Sequence, residues 1–288
     1  MILITGGAGY VGSHTCKALA RLGEEHIVFD NLSTGHEWAV RWGKLFHGDL
    51  RNLEDVRACF QRYPIDAVIH FAALSLVGES GQKPEEYYQT NVVGTLNLLQ
   101  VMREFQVNRI VFSSSAAVYG EPEQVPIPED HLLRPVNVYG RTKVIMEMFM
   151  ADYARSYGFH YAALRYFNAA GADPEGETGE VHHPETHLIP NLIRAAFGHQ
   201  EALDVYDTDY PTPDGSAIRD YIHVSDLAQG PDQPRQQPRI FRAGSAPYGR
   251  DGSCQTDPSS PGSSPRRRPR NLGRQQCQGQ GNARLVPG

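Results

Sequence analysis

Tyr139 and Lys143 stand four residues apart, about 25 residues after a run of three serines, Ser113 to Ser115. On a helix, residues four apart share a face, so phenol and ammonium would lie side by side. A free tyrosine ionises near ~10, and neighbouring positive charge favours the phenolate and lowers that value. A phenolate so placed can take the proton of an alcohol as the adjoining carbon is oxidised. A serine closing the preceding strand, best Ser115, would hydrogen-bond the same hydroxyl. Taken alone, Tyr-x-x-x-Lys also fits an ordinary amphipathic helix with a snorkelling lysine, so a second signal is needed.

That signal is Thr5-Gly6-Gly7-Ala8-Gly9-Tyr10-Val11-Gly12. Gly6, Gly9 and Gly12 follow a short apolar strand and open a helix. There, backbone amides can approach a pyrophosphate at the positive end of the helix dipole. Asp30 ends the next strand, 18 residues after Gly12, where a carboxylate would accept hydrogen bonds from an adenosine ribose. It would also repel a 2′-phosphate, which favours NAD over NADP. Asn31 adjoins it, and Asp49-Leu50 closes the third strand, where Asp49 could meet the adenine or simply cap a loop. With a dinucleotide in place, Lys143 would bond the nicotinamide ribose, and the nicotinamide charge would add to the pull on Tyr139.

The elements needed to hold these groups can be read from period and punctuation. Strands are expected at Ile2 to Ile4, His26 to Phe29, Lys44 to His47, Ala67 to Phe71, Arg109 to Phe112 and Tyr161 to Arg165. Helices are expected at Tyr10 to Leu22, with Val11, Ala18, Leu19 and Leu22 on the apolar face, and from an Asn52 cap to Tyr63. Others should run from Pro84 to about Phe105 and from Tyr139 to Tyr157. Alternation of this kind gives an α/β fold, a Rossmann-type doubly wound parallel sheet with helices on both faces.

Further along stand Phe71-Ala72-Ala73, Asn91-Val92-Val93-Gly94-Thr95, Ser113 to Gly120, and Leu164 to Ala172. More specific pieces follow: His187-Leu188-Ile189-Pro190, Asp209 to Gly215, and Ile218 to Val224. With these motifs the chain, from residue 1 to about 230, resembles the extended short-chain dehydrogenase/reductase superfamily, and within it the UDP-glucose 4-epimerases. The resemblance implies tightly bound NAD, held by Gly6, Gly9, Tyr10, Val11, Gly12, Asp30, Asn31, Asp49, Leu50, Phe71, Ala72, Ala73, Asn91, Tyr139, Lys143, Tyr166 and Phe167. It implies that Tyr139 deprotonates the 4-hydroxyl of UDP-glucose or UDP-galactose, that hydride moves to NAD, and that the 4-keto sugar turns over before hydride returns. Ser115, Tyr139, Asn168, Leu188 and Arg219 would contact that substrate, Leu188 at the uracil end and Arg219 at the pyrophosphate. Ser75 stands where many of these epimerases carry a lysine near the cofactor. A nucleotide-sugar dehydratase shares the fold, the tyrosine and the lysine, but its acid–base pair would fall at Ala116 and Ala117. A chain that binds NAD without turnover is the other alternative.

Residues 1 to 230 carry 17 Lys and Arg against 30 Asp and Glu, whereas 231 to 288 carry 10 Arg and 3 Asp. The later stretch also holds 9 of the 20 prolines, and nothing in it resembles the last part of the family. The expected organisation is therefore an NAD-binding domain at 1–168, a partial substrate domain at 169–230, and a basic tail at 231–288, disordered or frame-shifted. Poor solubility and little or no turnover are expected of the chain as written, with Leu188, Ile189, Leu192, Ile193 and Phe197 left uncovered. Net charge −6 argues against nucleic acid as a partner, and no apolar run is long enough to span a membrane. No room for a signal peptide precedes the glycine loop, and four scattered cysteines read as reduced thiols, so the expected location is cytoplasmic. The sequence leaves room for a homodimer.

His182, His183, Glu185 and His187 lie within six residues, but Pro184 interrupts any helix, so the two-histidine face of a zinc protease is not available. A polar loop over the substrate, without metal, is the expectation there. Trp38 and Trp42 read as packing or surface aromatics.

Overall fold

The computed structural model describes residues 1–200, 202–205, 209–210 and 212–230, and two short strands at 240–241 and 283–285. The proposed boundary effects at 231–288 otherwise lie outside the described residues. In chain order the elements are β1 (Ile2–Thr5), α1 (Tyr10–Arg21), β2 (His26–Asp30), β3 (Lys44–His47), α2 (Leu53–Arg62), β4 (Ala67–His70), α3 (Val77–Gln82) and α4 (Pro84–Tyr87). Then follow α5 (Gly94–Glu104), β5 (Arg109–Ser113), α6 (Val138–Tyr157), β6 (His160–Leu164), β7 (Asn168–Ala170), α7 (Leu188–Ala196), β8 (Leu203–Val205), β9 (Tyr221–His223), α8 (Val224–Gln229), β10 (Ile240–Phe241) and β11 (Ala283–Leu285).

Six strands form a parallel sheet in the order β3-β2-β1-β4-β5-β6, with β10 antiparallel on the β6 edge. Leu3 pairs with Ile27 on one side and Val68 on the other, so β1 is central. The order reverses between β1 and β4, and in such sheets the crevice beyond the strand ends at that reversal receives the ligand. On one face Leu3, Ile27, Phe29, Val68, Ile110 and Phe112 pack with Val56, Leu98, Met102, Met146 and Met150 of α2, α5 and α6. Each side chain of this kind, fully buried, contributes roughly 1.5–3 kcal/mol. The other face is smaller, with Ile4, Cys16 and Val28 at its centre.

Local signals explain the boundaries. Asn52 caps α2 by accepting from the Glu54 amide at 3.1 Å. Asn137 caps α6 through the Gly140 amide at 2.7 Å, and Gly158, at φ 71°, ends it in the left-handed conformation.

Two expectations needed correction. The apolar face read for α1 is wrong: residues 12 to 17 are buried on all sides, while Leu22 lies past the helix end and is 75% exposed. Helix α1 is sandwiched between the sheet and the segment at 171–178 with α8, so small and polar residues are enclosed too. The long helix from Pro84 is also interrupted by a π-helical turn, Tyr88–Val93, which has no signature in apolar spacing.

Candidate active site

The glycine loop closes tightly on the sheet. Gly6 has φ 72°, and a Cβ there would lie 2.6 Å from the Ala72 nitrogen. A Cβ on Gly12 would lie 2.2 Å from the Gly6 carbonyl oxygen. Phe71 and Ala72 donate their amides to the Thr5 carbonyl, at 2.9 and 3.1 Å, so Phe71-Ala72-Ala73 runs beside the loop. Gly9, in extended backbone, precedes the first turn of α1, where Tyr10 and Val11 begin the helix. Beneath this junction His70 joins two hydroxyls: its Nδ1 lies 2.6 Å from Thr5 Oγ1 and its Nε2 2.9 Å from Thr95 Oγ1. Thr95 already donates to the Asn91 carbonyl, so Nε2–H donates to Thr95 and Nδ1 accepts from Thr5. Burial brings the His70 pKa down to about 3, which keeps this link neutral.

Asp30 closes β2 and accepts from the Ala8 amide at 3.0 Å and the Leu32 amide at 2.9 Å, which ties β2 to the glycine loop. Burial raises its pKa, and the two amides pull the other way. Asn31 donates to Asp49 at 3.0 Å, so these two residues meet beside β2 and β3. Asp49 is chiefly engaged by Arg51, whose fork brings its carboxyl down to about 2. Leu50 is buried in the core, where its Cβ lies 3.1 Å from the Cβ position of Gly94. Asn91 is fully buried and spends both N–H groups inside the protein, on the Leu74 carbonyl and the Thr142 hydroxyl. It thus braces the loop after Ala73 against α6.

The chemical group assembles where β5 ends against the first turn of α6. A Cβ on Gly140 would lie 2.6 Å from the Ala117 carbonyl oxygen, so only glycine lets α6 approach the Ala116–Val118 turn this closely. That approach sets the Tyr139 phenol beside Ser115, whose hydroxyl pulls the phenol pKa downward. Ser115 also accepts from the Ala117 amide at 3.2 Å. The other two serines are otherwise engaged: Ser113 bonds the Tyr166 hydroxyl and Ser114 bonds Glu147, each at 2.5 Å. Lys143 is buried and donates to the Ser113 carbonyl at 2.8 Å, with its ammonium 5.6 Å from the Tyr139 ring centre.

The expected lowering of Tyr139 by Lys143 does not occur in this arrangement. Burial raises the phenol above its ordinary value, and the Ser115 hydroxyl only partly opposes this. Burial also brings Lys143 down to about 7, against the upward pull of Glu147, so its charge near neutrality is partial. Desolvation of the phenol is the larger effect.

The sequence reading missed what stands behind these groups. Glu147, one turn beyond Lys143, forms a buried ion pair with Arg165, their closest atoms 2.5 Å apart. Tyr-x-x-x-Lys-x-x-x-Glu at helical spacing, with an arginine closing β6, was the available signal. On the other side Lys17 reaches Asp173 at 2.7 Å, Glu175 at 2.8 Å and Glu177 at 2.7 Å. Tyr10 donates to the Gly171 carbonyl at 2.6 Å. Helix α1 therefore anchors the segment that follows β7.

The residues expected on the substrate side are more open. Phe167 is 38% exposed, and Asn168 donates its side-chain amide to the Asp220 carbonyl at 2.9 Å, where β7 and β9 pair. Leu188 opens α7 and is 49% exposed. Arg219 is exposed just before β9, with a weak bond to the Ile218 carbonyl at 3.4 Å. The loop at 180–187 brings together Glu180, His182, Glu185 and His187, whose ligand atoms all lie within 4.8 Å of one another. Cys16 and Cys59 are buried free thiols, whereas Cys254 and Cys277 lie outside the described residues. Trp42 packs against Lys17, and Trp38 is a half-exposed surface ring stacked on His36. Among the described residues no helix is long and apolar enough to cross a membrane.

A glycine-cradled dinucleotide crevice with a Tyr-Lys-Ser group at its edge defines the class of nucleotide-dependent enzymes acting on alcohols and ketones. Within that class the chain belongs to the NAD dependent epimerase/dehydratase family, whose model matches residues 2–243. It is 53% identical over 227 residues to a UDP-glucose 4-epimerase of Halalkalibacterium halodurans, covering 79% of this chain and 68% of that protein. Its fold matches the UDP-glucose 4-epimerase of Brucella ovis in complex with NAD, with TM-score 0.77 and 53% identity, covering 79% of this chain and 70% of that one. It also matches the enzyme of Bifidobacterium longum in complex with NAD+ and UDP, with TM-score 0.76 and 40% identity, covering 80% and 72% of the two chains.

Proposed function

We propose that this protein is a UDP-glucose 4-epimerase, an isomerase that interconverts UDP-glucose and UDP-galactose with bound NAD. The observation that carries the reading is the meeting of Tyr139, Ser115 and Lys143 at the edge of the glycine-lined crevice. The crevice fits a dinucleotide: Gly6 and Gly12 leave backbone where any Cβ would collide, and Asp30 stands at the end of β2. Gly6, Gly9, Tyr10, Val11 and Gly12 would hold the pyrophosphate, and Asp30 the adenosine ribose. Asp49, Leu50 and Asn31 would line the adenine side, and Phe71, Ala72, Ala73, Asn91, Tyr166 and Phe167 the remainder. Bound NAD supplies reversible hydride exchange at C4 of the hexose.

The protein's own work is proton handling and orientation. Ser115 and Tyr139 hold the 4-hydroxyl between them. Tyr139 accepts its proton and later returns one, and Lys143 stabilises the phenolate. Asn168, Leu188 and Arg219 hold the UDP portion, the arginine fork matching phosphate oxygens. Ala116 and Ala117 offer no acid or base for eliminating water, which favours epimerisation over dehydration. The division into a cofactor part at 1–168 and a substrate part at 169–230, a homodimeric assembly and a cytoplasmic location belong to the same proposal.

The test is to purify the protein, denature it, and identify the nucleotide released, alongside conversion of UDP-galactose by intact protein. NAD in the supernatant with UDP-glucose as product supports the reading. NADP in its place, or a dehydrated sugar as product, overturns it.

A further inference from the structure

A line of buried polar residues runs from the glycine loop to the backbone of Tyr139. Thr5 donates its hydroxyl to His70 Nδ1 at 2.6 Å, and His70 Nε2–H donates to Thr95 Oγ1 at 2.9 Å. Thr95 donates in turn to the Asn91 carbonyl at 2.5 Å. The Asn91 side-chain amide donates to Thr142 Oγ1 at 3.0 Å, and Thr142 donates to the Tyr139 carbonyl at 2.7 Å. Thr5, His70, Asn91, Thr95 and Thr142 are each at most 1% exposed. The line crosses β1, β4, α5, the π-helical turn Tyr88–Val93 and α6 in succession.

The direction of each bond is fixed. A threonine hydroxyl has one proton. Thr95 and Thr142 spend theirs on carbonyls, which only accept, so each receives from its other neighbour. His70, kept uncharged by burial, has one ring proton. It goes to Thr95, and Thr5 supplies the proton of the other contact. Every hydrogen therefore points from the glycine loop toward Tyr139, and bonds aligned in this way polarise one another. The line does not pass a proton from end to end, because at Asn91 it crosses from carbonyl to carboxamide through covalent bonds. Its work is mechanical.

Both ends sit where position matters. Thr5 precedes Gly6, and its carbonyl holds the Phe71 and Ala72 amides. At the far end the Tyr139 amide donates to Ser80 Oγ at 3.2 Å, so this residue is held at its nitrogen as well as its carbonyl oxygen. Phe112 stacks on the His70 ring, 5.8 Å between centroids, and carries the Lys143 ammonium 5.0 Å from its own centre. Local core filling needs only near neighbours, yet the links from His70 to Thr5 and from Asn91 to Thr142 span 65 and 51 residues of sequence. The π-helical turn stands in the middle of the line, and such turns collect at functional sites.

We propose that His70, Thr95 and Thr142 are positioning residues: with Thr5 and Asn91 they set the distance from the glycine loop to Tyr139. What Tyr139 does there rests on the epimerase reading; the line itself does not. A dinucleotide held at its pyrophosphate meets the phenol at a spacing that this line fixes. A displacement of ~1 Å between reacting groups costs about 10²-fold in rate.

The test uses the full chain, isotope-labelled in its histidine rings and at tyrosine Cζ, and read by NMR. The His70 signals, identified by their loss in His70→Gln, should show a protonated Nε2 and a bare Nδ1. The Tyr139 signal is identified by its loss in Tyr139→Phe. Thr95→Val removes the middle hydroxyl without touching Tyr139. It should shift the Tyr139 signal and leave that of Tyr153, near the far end of α6, in place. Thr95→Ser should restore the signal, and Thr142→Val combined with Thr95→Val should change it no more than the larger single effect. The opposite His70 tautomer overturns the proposal, as does a Tyr139 signal that Thr95→Val leaves unmoved. Should Thr95→Val prevent folding, Thr5→Val cuts the line at its distant end and is read with the same two outcomes. In a chain whose C-terminal part is restored to the family pattern, Thr95→Val should lower kcat by about 10²-fold and leave KM for UDP-galactose unchanged. A loss confined to KM overturns the proposal. If that restored chain has no turnover before any substitution, the epimerase reading fails, while the tyrosine signal still decides the positioning role.

Discussion

Helix α6 buries Gly140, Thr142, Lys143, Met146, Glu147 and Met150, whereas none of the nine residues of α7 is buried. Leu188, Leu192, Ile193 and Phe197 of the α7 region are 49, 45, 52 and 75% exposed. Yet α7 has the more one-sided apolar pattern of the two. The contrast separates two jobs. Helix α6 is locked between the sheet and the Ala116 turn, as the proposed base and its partners would require. Among the described residues α7 has an apolar stripe and no cover. An amphipathic pattern thus states a demand for burial, and only the three-dimensional neighbourhood shows whether it is met.

The largest effect should come from the α6 side. In a chain whose C-terminal part is restored to the family pattern, replacing Tyr139 with Phe keeps the ring and removes the proton acceptor, so turnover should fall by at least ~10²-fold. Bound NAD should largely survive, as judged by nucleotide released on denaturation. A near-normal rate would break the comparison at its strong end.

Next in size is Glu147→Gln. It leaves Arg165 charged and buried without its ion-pair partner, which costs about 3–5 kcal/mol in urea unfolding. It also removes the charge that supports Lys143 as an ammonium, so the Lys143 pKa should move further down, readable by NMR of labelled lysine. Replacing both members with methionine should recover much of the stability, since no buried charge is then stranded.

A pH effect follows from Lys143. Its folded pKa of about 7 lies below the unfolded value of ~10.4, so between them the unfolded chain binds the extra proton. Stability from this group therefore rises with pH from about 7 toward ~10 and is lowest in acid. Lys143→Met should flatten that rise. An equal slope in both proteins would show that Lys143 is better solvated than its 2% exposure implies.

The smallest effect is expected on α7. Leu192→Gln should change stability by no more than ~0.5 kcal/mol, as for other exposed positions. A loss several times larger would show that α7 is covered in solution and would remove the contrast.

Much of the α6 side was legible in the sequence. Glycine spacing, Asp30 and Tyr139 to Lys143 act through local backbone geometry, and Ser115 follows from where β5 must end. Less legible were residues whose role depends on distant neighbours. Lys17 matters through Asp173, Glu175 and Glu177, more than 150 residues away, and His70 through Thr5 and Thr95. The burial of α1 on all sides was hidden for the same reason, since period reports one face and α8 covers the other. The desolvation of the Tyr139 phenol was hidden too, because it is set by packing that spacing does not display.

The most direct measurement follows the hydrogen at C4. UDP-galactose carrying deuterium at C4 is incubated with the purified protein in ordinary water, and the UDP-glucose formed is examined by NMR. If Tyr139 handles only the hydroxyl proton while bound NAD stores and returns the C4 hydride, the product keeps its deuterium however slowly it forms. UDP-glucose that has exchanged the label for solvent hydrogen would contradict the account.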